Sequence, residues 1–97
     1  MIASAGYAGG NVRNRNEVVT AVLAVRPAMN QPAIFQFWNG KVWVGIKQAP
    51  IKNGRASLAF RATRPGIFAY RFLVPNTQYQ GTSVYGTATG SLVLRVR

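Results

Sequence analysis

Side chains able to carry out acid–base or metal chemistry are nearly absent from this sequence. Its 97 residues include no His and no Cys, and Glu17 is the only acidic side chain. General acid–base catalysis draws mainly on His, Asp, Glu, Lys, Tyr and Cys, and mechanisms with paired carboxylates need two such groups. Metal sites in proteins need clusters of His, Cys or acidic residues. The sequence therefore predicts a protein that is not an enzyme, with no catalytic residue, no metal site and no cofactor.

The chemistry that remains is that of a strongly cationic surface. Twelve Lys and Arg against one acid give a formal net charge of +11, and a field of that size attracts polyanions. Arginine suits this role because it binds phosphate and carboxylate through paired hydrogen bonds. The alternative is that the charged side chains are solvated strand exteriors that discourage aggregation. Candidates for anion binding, each alternating with apolar residues, are Arg55, Arg61, Arg71, Arg95 and Arg97.

Four aromatic residues are candidates for stacking on sugars or bases. Trp38 and Trp43 stand on either side of an Asn-Gly pair, and Tyr79 and Tyr85 lie in a later polar segment. The alternative for the tryptophans is that at least one of them fills the core. The sequence has no helix-turn-helix, zinc-finger or RNA-binding aromatic signature, so any nucleic-acid binding would be independent of base sequence.

The elements that position these residues are predicted to be strands. Apolar residues recur at every second position, and Val, Ile, Phe, Tyr and Trp are frequent among them, which favours strands over helices. The predicted strands cover residues 17–25, 32–38, 42–47, 55–62, 67–74 and 91–97. In the first strand both alternating sets are apolar, so its inward face stays open. Asn39–Gly40 and Asn53–Gly54 are typical of tight hairpin turns, and Pro75–Gly90 reads as a long polar connection.

The order of these elements resembles the Ig-like repeats of bacterial, particularly actinobacterial, secreted and cell-surface proteins. The resemblance spans residues 18–97. The residues that carry it are Pro32, FQFW at 35–38, Asn39–Gly40, Trp43, Asn53–Gly54–Arg55, Phe60, Arg64–Pro65–Gly66, Tyr70–Arg71, Val74–Pro75, Tyr79, Gly81 and LVLRV at 92–96.

This resemblance implies an all-β fold, an immunoglobulin-like antiparallel β-sandwich of about seven strands. Residues 17–97 would form the domain, and residues 1–16 would be a flexible or irregular leader, or else strand A. Such repeats mostly act as spacers, adhesive units or accessory modules beside catalytic domains, and they are extracellular or at the cell surface. Two departures stand out: residues 1–16 do not match the family's opening strand, and Asn39 and Asn53 occupy turns that commonly carry Asp.

Three functions follow as hypotheses. The first is a non-catalytic accessory or adhesive module, part of a secreted or cell-surface protein, whose basic surface favours anionic polymers or glycans. The second is a nucleic-acid or polyanion binder without sequence preference, and the third is a structural spacer or engineered scaffold without a ligand. No stretch approaches the ~20 apolar residues of a membrane span, and the positive charge predicts a monomer because copies repel each other. Neighbouring domains of a larger parent protein are compatible with all three.

Overall fold

The fold is built from β-strands. The computed structural model describes residues 2–26, 28 and 30–97, and the backbone alone for residues 79 and 84. The described residues contain eleven strands and no helix, so the prediction of an all-β chain is confirmed. In chain order the strands are β1 (Ile2–Ala8), β2 (Val12–Arg13), β3 (Val18–Arg26), β4 (Gln31–Trp38), β5 (Trp43–Ile51), β6 (Arg55–Arg61), β7 (Gly66–Val74), β8 (Thr77–Tyr79), β9 (Thr82–Val84), β10 (Thr87–Ala88) and β11 (Leu92–Val96).

Two sheets contain nine of these strands. The three-stranded sheet has the order β1-β3-β6, and both of its pairs are antiparallel. The six-stranded sheet has the order β2-β11-β7-β4-β5, with β10 also paired to β7. Only the β2–β11 pair among these described strands is parallel. Strands β8 and β9 form a separate antiparallel hairpin. This arrangement is compatible with a β-sandwich.

The core lies between the two sheets, because buried side chains of both belong to one cluster. In β3 the buried set is Val19, Ala21, Leu23 and Val25, which answers the question that the apolar pattern of this strand left open. The other set of β3 is exposed or half-buried and faces away from the core. Long-range pairing, rather than local hydrophobicity, therefore decides which apolar set is inside.

Four aromatic rings join the two sheets at the centre of the core. Phe35 of β4 is fully buried, and its ring lies 5.1 Å from Tyr70, 5.0 Å from Phe72 and 5.4 Å from Phe60 between centroids. Phe60 comes from the three-stranded sheet and the other rings come from the six-stranded sheet. Burial of one such side chain contributes ~1.5–3 kcal/mol, so this cluster is a main source of stability.

The N-terminal segment belongs to both sheets. Residues 2–8 form β1, from the Ile2–Arg26 pair to the Ala8–Thr20 pair. Gly9 and Gly10 then adopt positive φ angles of 87° and 96°, a conformation that glycine reaches without steric cost. The chain thereby crosses to β2, which lies parallel to β11 in the other sheet.

The two Asn-Gly pairs form different turns. Asn53 and Gly54 have φ angles of 56° and 80°, and reciprocal backbone hydrogen bonds join Lys52 and Arg55 at 2.8 and 3.0 Å. This is the two-residue turn that Asn-Gly favours, and it carries the chain from β5 in one sheet to β6 in the other. The Asn39 turn is wider: its Oδ1 accepts hydrogen bonds from the backbone N–H groups of residues 41 and 42, both at 2.9 Å.

The segment from Pro75 to Gly90 contains β8, β9 and β10 instead of one long connection. Thr89, at the end of this segment, is the only buried polar side chain among the described residues. Its N–H donates to the carbonyl of Phe72 at 2.9 Å, and its Oγ1 accepts from the N–H of Phe72 at 3.0 Å. These two bonds tie the end of the segment to β7.

Candidate functional site

The two tryptophans meet on the outer face of the six-stranded sheet. Alternation along β4 turns Phe35 and Phe37 inward, so Trp38 faces outward, and it pairs with Trp43 of β5. The two indole rings lie 5.4 Å apart between centroids at an angle of 55°. Trp38 is 39% exposed and Trp43 is half-buried. Neither is among the buried core residues of the described chain, which disfavours the alternative that one of them fills the core.

Arg71 of β7, the strand next to β4, contacts this pair. Its Cζ atom lies 4.4 Å from the centroid of the Trp43 ring, a cation–π contact, and its Nε donates to Gln36 Oε1 at 2.7 Å. A guanidinium held in this way keeps its orientation. Within the described residues its Nη groups make no other side-chain hydrogen bond, so both remain able to bind an anion from outside.

A shallow groove of about 380 Å³ runs over the same face beside Trp38. Its lining includes Ala69 and Ile67 of β7 and Val93 of β11. Ala69 pairs with Val93, and its short side chain leaves the groove open above β7. Ile67 is 72% exposed. The groove thus combines an indole edge with aliphatic walls, a surface suited to the apolar faces of sugar rings.

Arg71 and Arg95 lie on the same sheet face as this groove, although neither side chain lines it. Arg95 faces outward on β11 and pairs with Ile67, whereas Arg71 lies four residues further along β7, ~13 Å away at the rise of an extended strand. The sequence placed both arginines among the anion-binding candidates. The structure positions them on one face, beside an apolar groove.

None of the remaining candidate residues of the described chain lines this groove. Arg55 and Arg61 face outward on β6, on the opposite side of the molecule, and Arg97 follows β11 as an exposed residue. Tyr85 is 80% exposed between β9 and β10. The backbone of Tyr79 lies in β8, and its side chain falls outside the described residues. The five arginines therefore do not share one face.

The only acidic side chain, Glu17, binds Arg13 where the chain crosses from β1 in one sheet to β2 in the other. Glu17 Oε2 accepts a hydrogen bond from Arg13 Nη1 at 2.5 Å, and its Oε1 accepts from the N–H of Asn14 at 3.3 Å. The Arg13 hydrogen bond, followed by that of Asn14, holds the pKa of Glu17 below its ordinary value. Arg13 also donates to the carbonyls of Ala8 and Gly10. Arg13 therefore fastens the crossing between β1 and β2.

Two of the residues in the site lacked a signal in the sequence. Gln36 orients Arg71, but a single Gln on a strand is indistinguishable from any polar exterior residue. Ala69 matters because of its small size next to Trp38, which becomes visible only when β4, β7 and β11 are aligned. The outward placement of Trp38 did have a signal, since Phe35 and Phe37 alternate with it.

No family model matches the chain, and no curated protein matches it. Across the described residues, no group of three or more His, Cys, Asp or Glu lies together as a metal site would require. A helix long and apolar enough to cross a membrane is likewise absent from the described part of the chain. The geometry of the surface is therefore the guide to function.

Proposed function

We propose that this chain is a non-catalytic binding module for anionic glycans, and that its binding surface is the groove beside Trp38 together with Arg71 and Arg95. The single observation that supports this proposal most is the contact of Trp38, Trp43 and Arg71 on one exposed sheet face. Indole rings and aliphatic groups pack against the C–H faces of sugars. The guanidinium groups of Arg71 and Arg95 offer paired hydrogen bonds to carboxylate or sulfate groups.

The electrostatic field of the whole molecule supports the same function. With Glu17 bound to Arg13, the formal net charge of +11 has no acidic side chain left to neutralise it. A field of one sign raises the association rate of a polyanion and concentrates it at the surface. The groove would then select among polyanions through its shape and its apolar walls. The same field disfavours self-association, in line with a monomer.

An Ig-like topology is part of the proposal. In such a sandwich the sheet β1-β3-β6 would supply strands A, B and E, and β4, β7 and β11 would be strands C, F and G. Strand β5 would then be C′ at the edge of the second sheet. This correspondence agrees with the resemblance noted in the sequence, and with it the proposal extends to a module of an extracellular or cell-surface protein.

Binding to polysaccharides of matched length tests the proposal. The wild type should bind a uronate or sulfated polymer and should not bind its neutral counterpart. Trp43→Ala and Arg71→Gln should each weaken binding about tenfold or more, since stacking and charge-assisted hydrogen bonds are each worth ~1–3 kcal/mol. Arg15→Gln is the matched control, because it removes the same charge from an exposed turn between β2 and β3; it should weaken binding less than about threefold.

The rival functions predict other outcomes. Equal losses for Arg71→Gln and Arg15→Gln would show that binding is a general charge effect and would overturn the proposal. Tighter binding of single-stranded DNA than of any acidic glycan, with the same sensitivity to Trp43→Ala, would identify a nucleic-acid binder. A wild type that elutes from an acidic glycan column at the salt concentration of a neutral sandwich would favour a spacer.

A further inference from the structure

The outer face of the three-stranded sheet contains a second groove, unrelated to the tryptophan site. It has a volume of about 690 Å³. Small side chains form its floor: Ser4 of β1, Val22 and Ala24 of β3, and Ser57 of β6. Their register places Ser4 and Ala24 in one row and Val22 and Ser57 in the next. A polymer chain can therefore lie close to the sheet over these two rows.

Lys52 and Arg55 line one end of this groove, and a third cation, Arg26, lies beyond it. Arg55 pairs with Ala24 across the strands, and Lys52 pairs with Arg55 across the Asn53–Gly54 turn. Directly opposed residues have Cβ atoms ~4.5–5.5 Å apart and share a face. Arg26 lies on the same face, two residues beyond Ala24 along β3. Since the only acidic side chain is bound by Arg13, these like charges have no other acidic side chain to relieve their repulsion.

The turn that carries Lys52 and Arg55 is firmly held. Asn53 N–H donates to Asn30 Oδ1 at 2.6 Å, and Gly54 is buried and accepts a backbone hydrogen bond from Val25 at 2.8 Å. The two cations are therefore kept together by the backbone, at a cost in repulsion that an anion would remove. Arg61, at the other end of β6, instead donates to the carbonyl of Asn16 at 2.6 Å.

The polar residues of the lining are Ser4, Lys52, Arg55 and Ser57, a set of cations and hydroxyls that suits phosphate oxygens. We propose that this groove is an anion site for a linear phosphate polymer, with Lys52, Arg55 and Arg26 contacting phosphate oxygens and the hydroxyls of Ser4 and Ser57 donating further hydrogen bonds. Among the described residues that line the groove there is no aromatic ring, so it offers no stacking surface for bases or sugars. A chain that carries a charge on every unit and has no planar group fits these walls.

Calorimetric titration with inorganic polyphosphate of one chain length tests this site. The double variant Lys52→Gln/Arg55→Gln should lower the affinity at least about tenfold more than Arg15→Gln/Arg64→Gln, which removes the same charge from exposed positions in two other turns. Ala24→Glu places a carboxylate opposite Arg55 at an exposed position and should lower the affinity as strongly while both cations remain. Thermal unfolding of each variant establishes that it is folded.

The tryptophan variant separates this proposal from the preceding one. Trp43→Ala should leave polyphosphate affinity unchanged, whether or not it weakens glycan binding. Equal losses in the two double variants would overturn the phosphate site and indicate diffuse attraction. A loss of polyphosphate binding in Trp43→Ala, with none in Lys52→Gln/Arg55→Gln, would place the anion on the other face and would equally overturn it. Single-stranded DNA serves as the comparison polymer. Tighter binding of DNA than of polyphosphate at this groove would overturn the assignment, which depends on the lack of a stacking surface there.

Discussion

Replacing Gly54 by alanine should destabilise this fold both through its backbone conformation and through its packing. A Cβ at this position would lie 2.9 Å from the Ala28 Cα and 2.9 Å from the carbonyl oxygen of Val25, and φ is +80°. The positive φ costs alanine ~1 kcal/mol, and forcing an extra carbon into a packed site costs ~1–3 kcal/mol more. The sum of about 2–4 kcal/mol corresponds to a Tm lowered by roughly 8–30 °C for a domain of this size.

Gly81 supplies the matched control. The Gln80–Gly81 turn has φ angles of 53° and 77°, nearly those of Asn53–Gly54, but a Cβ at Gly81 would meet nothing within 4 Å. Gly81→Ala should therefore show the backbone cost alone, ~1 kcal/mol or less. Denaturant unfolding followed by tryptophan fluorescence measures both variants. If Gly54→Ala and Gly81→Ala lower the free energy of unfolding by the same amount, the close packing of β3, β5 and β6 at this turn is not a source of stability.

Three other measurements examine the core and the charge. Thr89→Val should cost ~1–3 kcal/mol in chemical denaturation because the buried N–H of Phe72 loses its acceptor, whereas Thr89→Ser keeps the hydroxyl and should retain most of the stability; equal losses would contradict this role. The Tm should stay nearly flat from pH 6 down to about 3. Glu17 is the only acidic side chain, and its pKa is lowered in the folded state, so its contribution to stability is present above its unfolded pKa and is lost only as pH falls through its folded pKa. A steep fall near pH 4 would be inconsistent with a single acidic side chain. Added NaCl should raise the Tm at neutral pH by screening repulsion among the cations, and a Tm that falls with salt would show that repulsion does not limit stability.

Most strands were predictable because period-two patterns and Asn-Gly turns are local signals. The predicted strand 55–62 and the observed β6 differ by one residue, and the Asn53–Gly54 turn occurs where the dipeptide stands. The inward face of β3 was not predictable, since both of its sets are apolar and only pairing with β1 and β6 distinguishes them. Residues 2–8 were equally ambiguous, because a strand without charge in which five of seven residues are small carries a weak pattern on its own.

The site was predictable in composition and unpredictable in arrangement. Trp38, Trp43 and Arg71 could be chosen as candidates from residue type, and alternation indicates that each faces away from the core. Their contact requires the β4–β5 and β4–β7 registers, including the bulge after Phe35 that shifts β5 by one residue. Registers depend on the whole sheet, so a sequence pattern gives the members of a surface cluster but not their distances.

The position of Glu17 explains how charge can serve binding at the expense of stability. A carboxylate placed among the outward arginines would stabilise the fold slightly, since exposed ion pairs contribute ~0–1 kcal/mol, and it would occupy a guanidinium that could otherwise hold a ligand. Here the carboxylate is bound at the N-terminal crossing by Arg13, and among the described residues it forms no ion pair with Arg71 or Arg95. The remaining cations repel each other in the folded state and attract anions from outside. Salt should therefore act with opposite signs, raising the Tm and weakening anion binding, and that pair of signs follows only if the same unpaired charges are responsible for both.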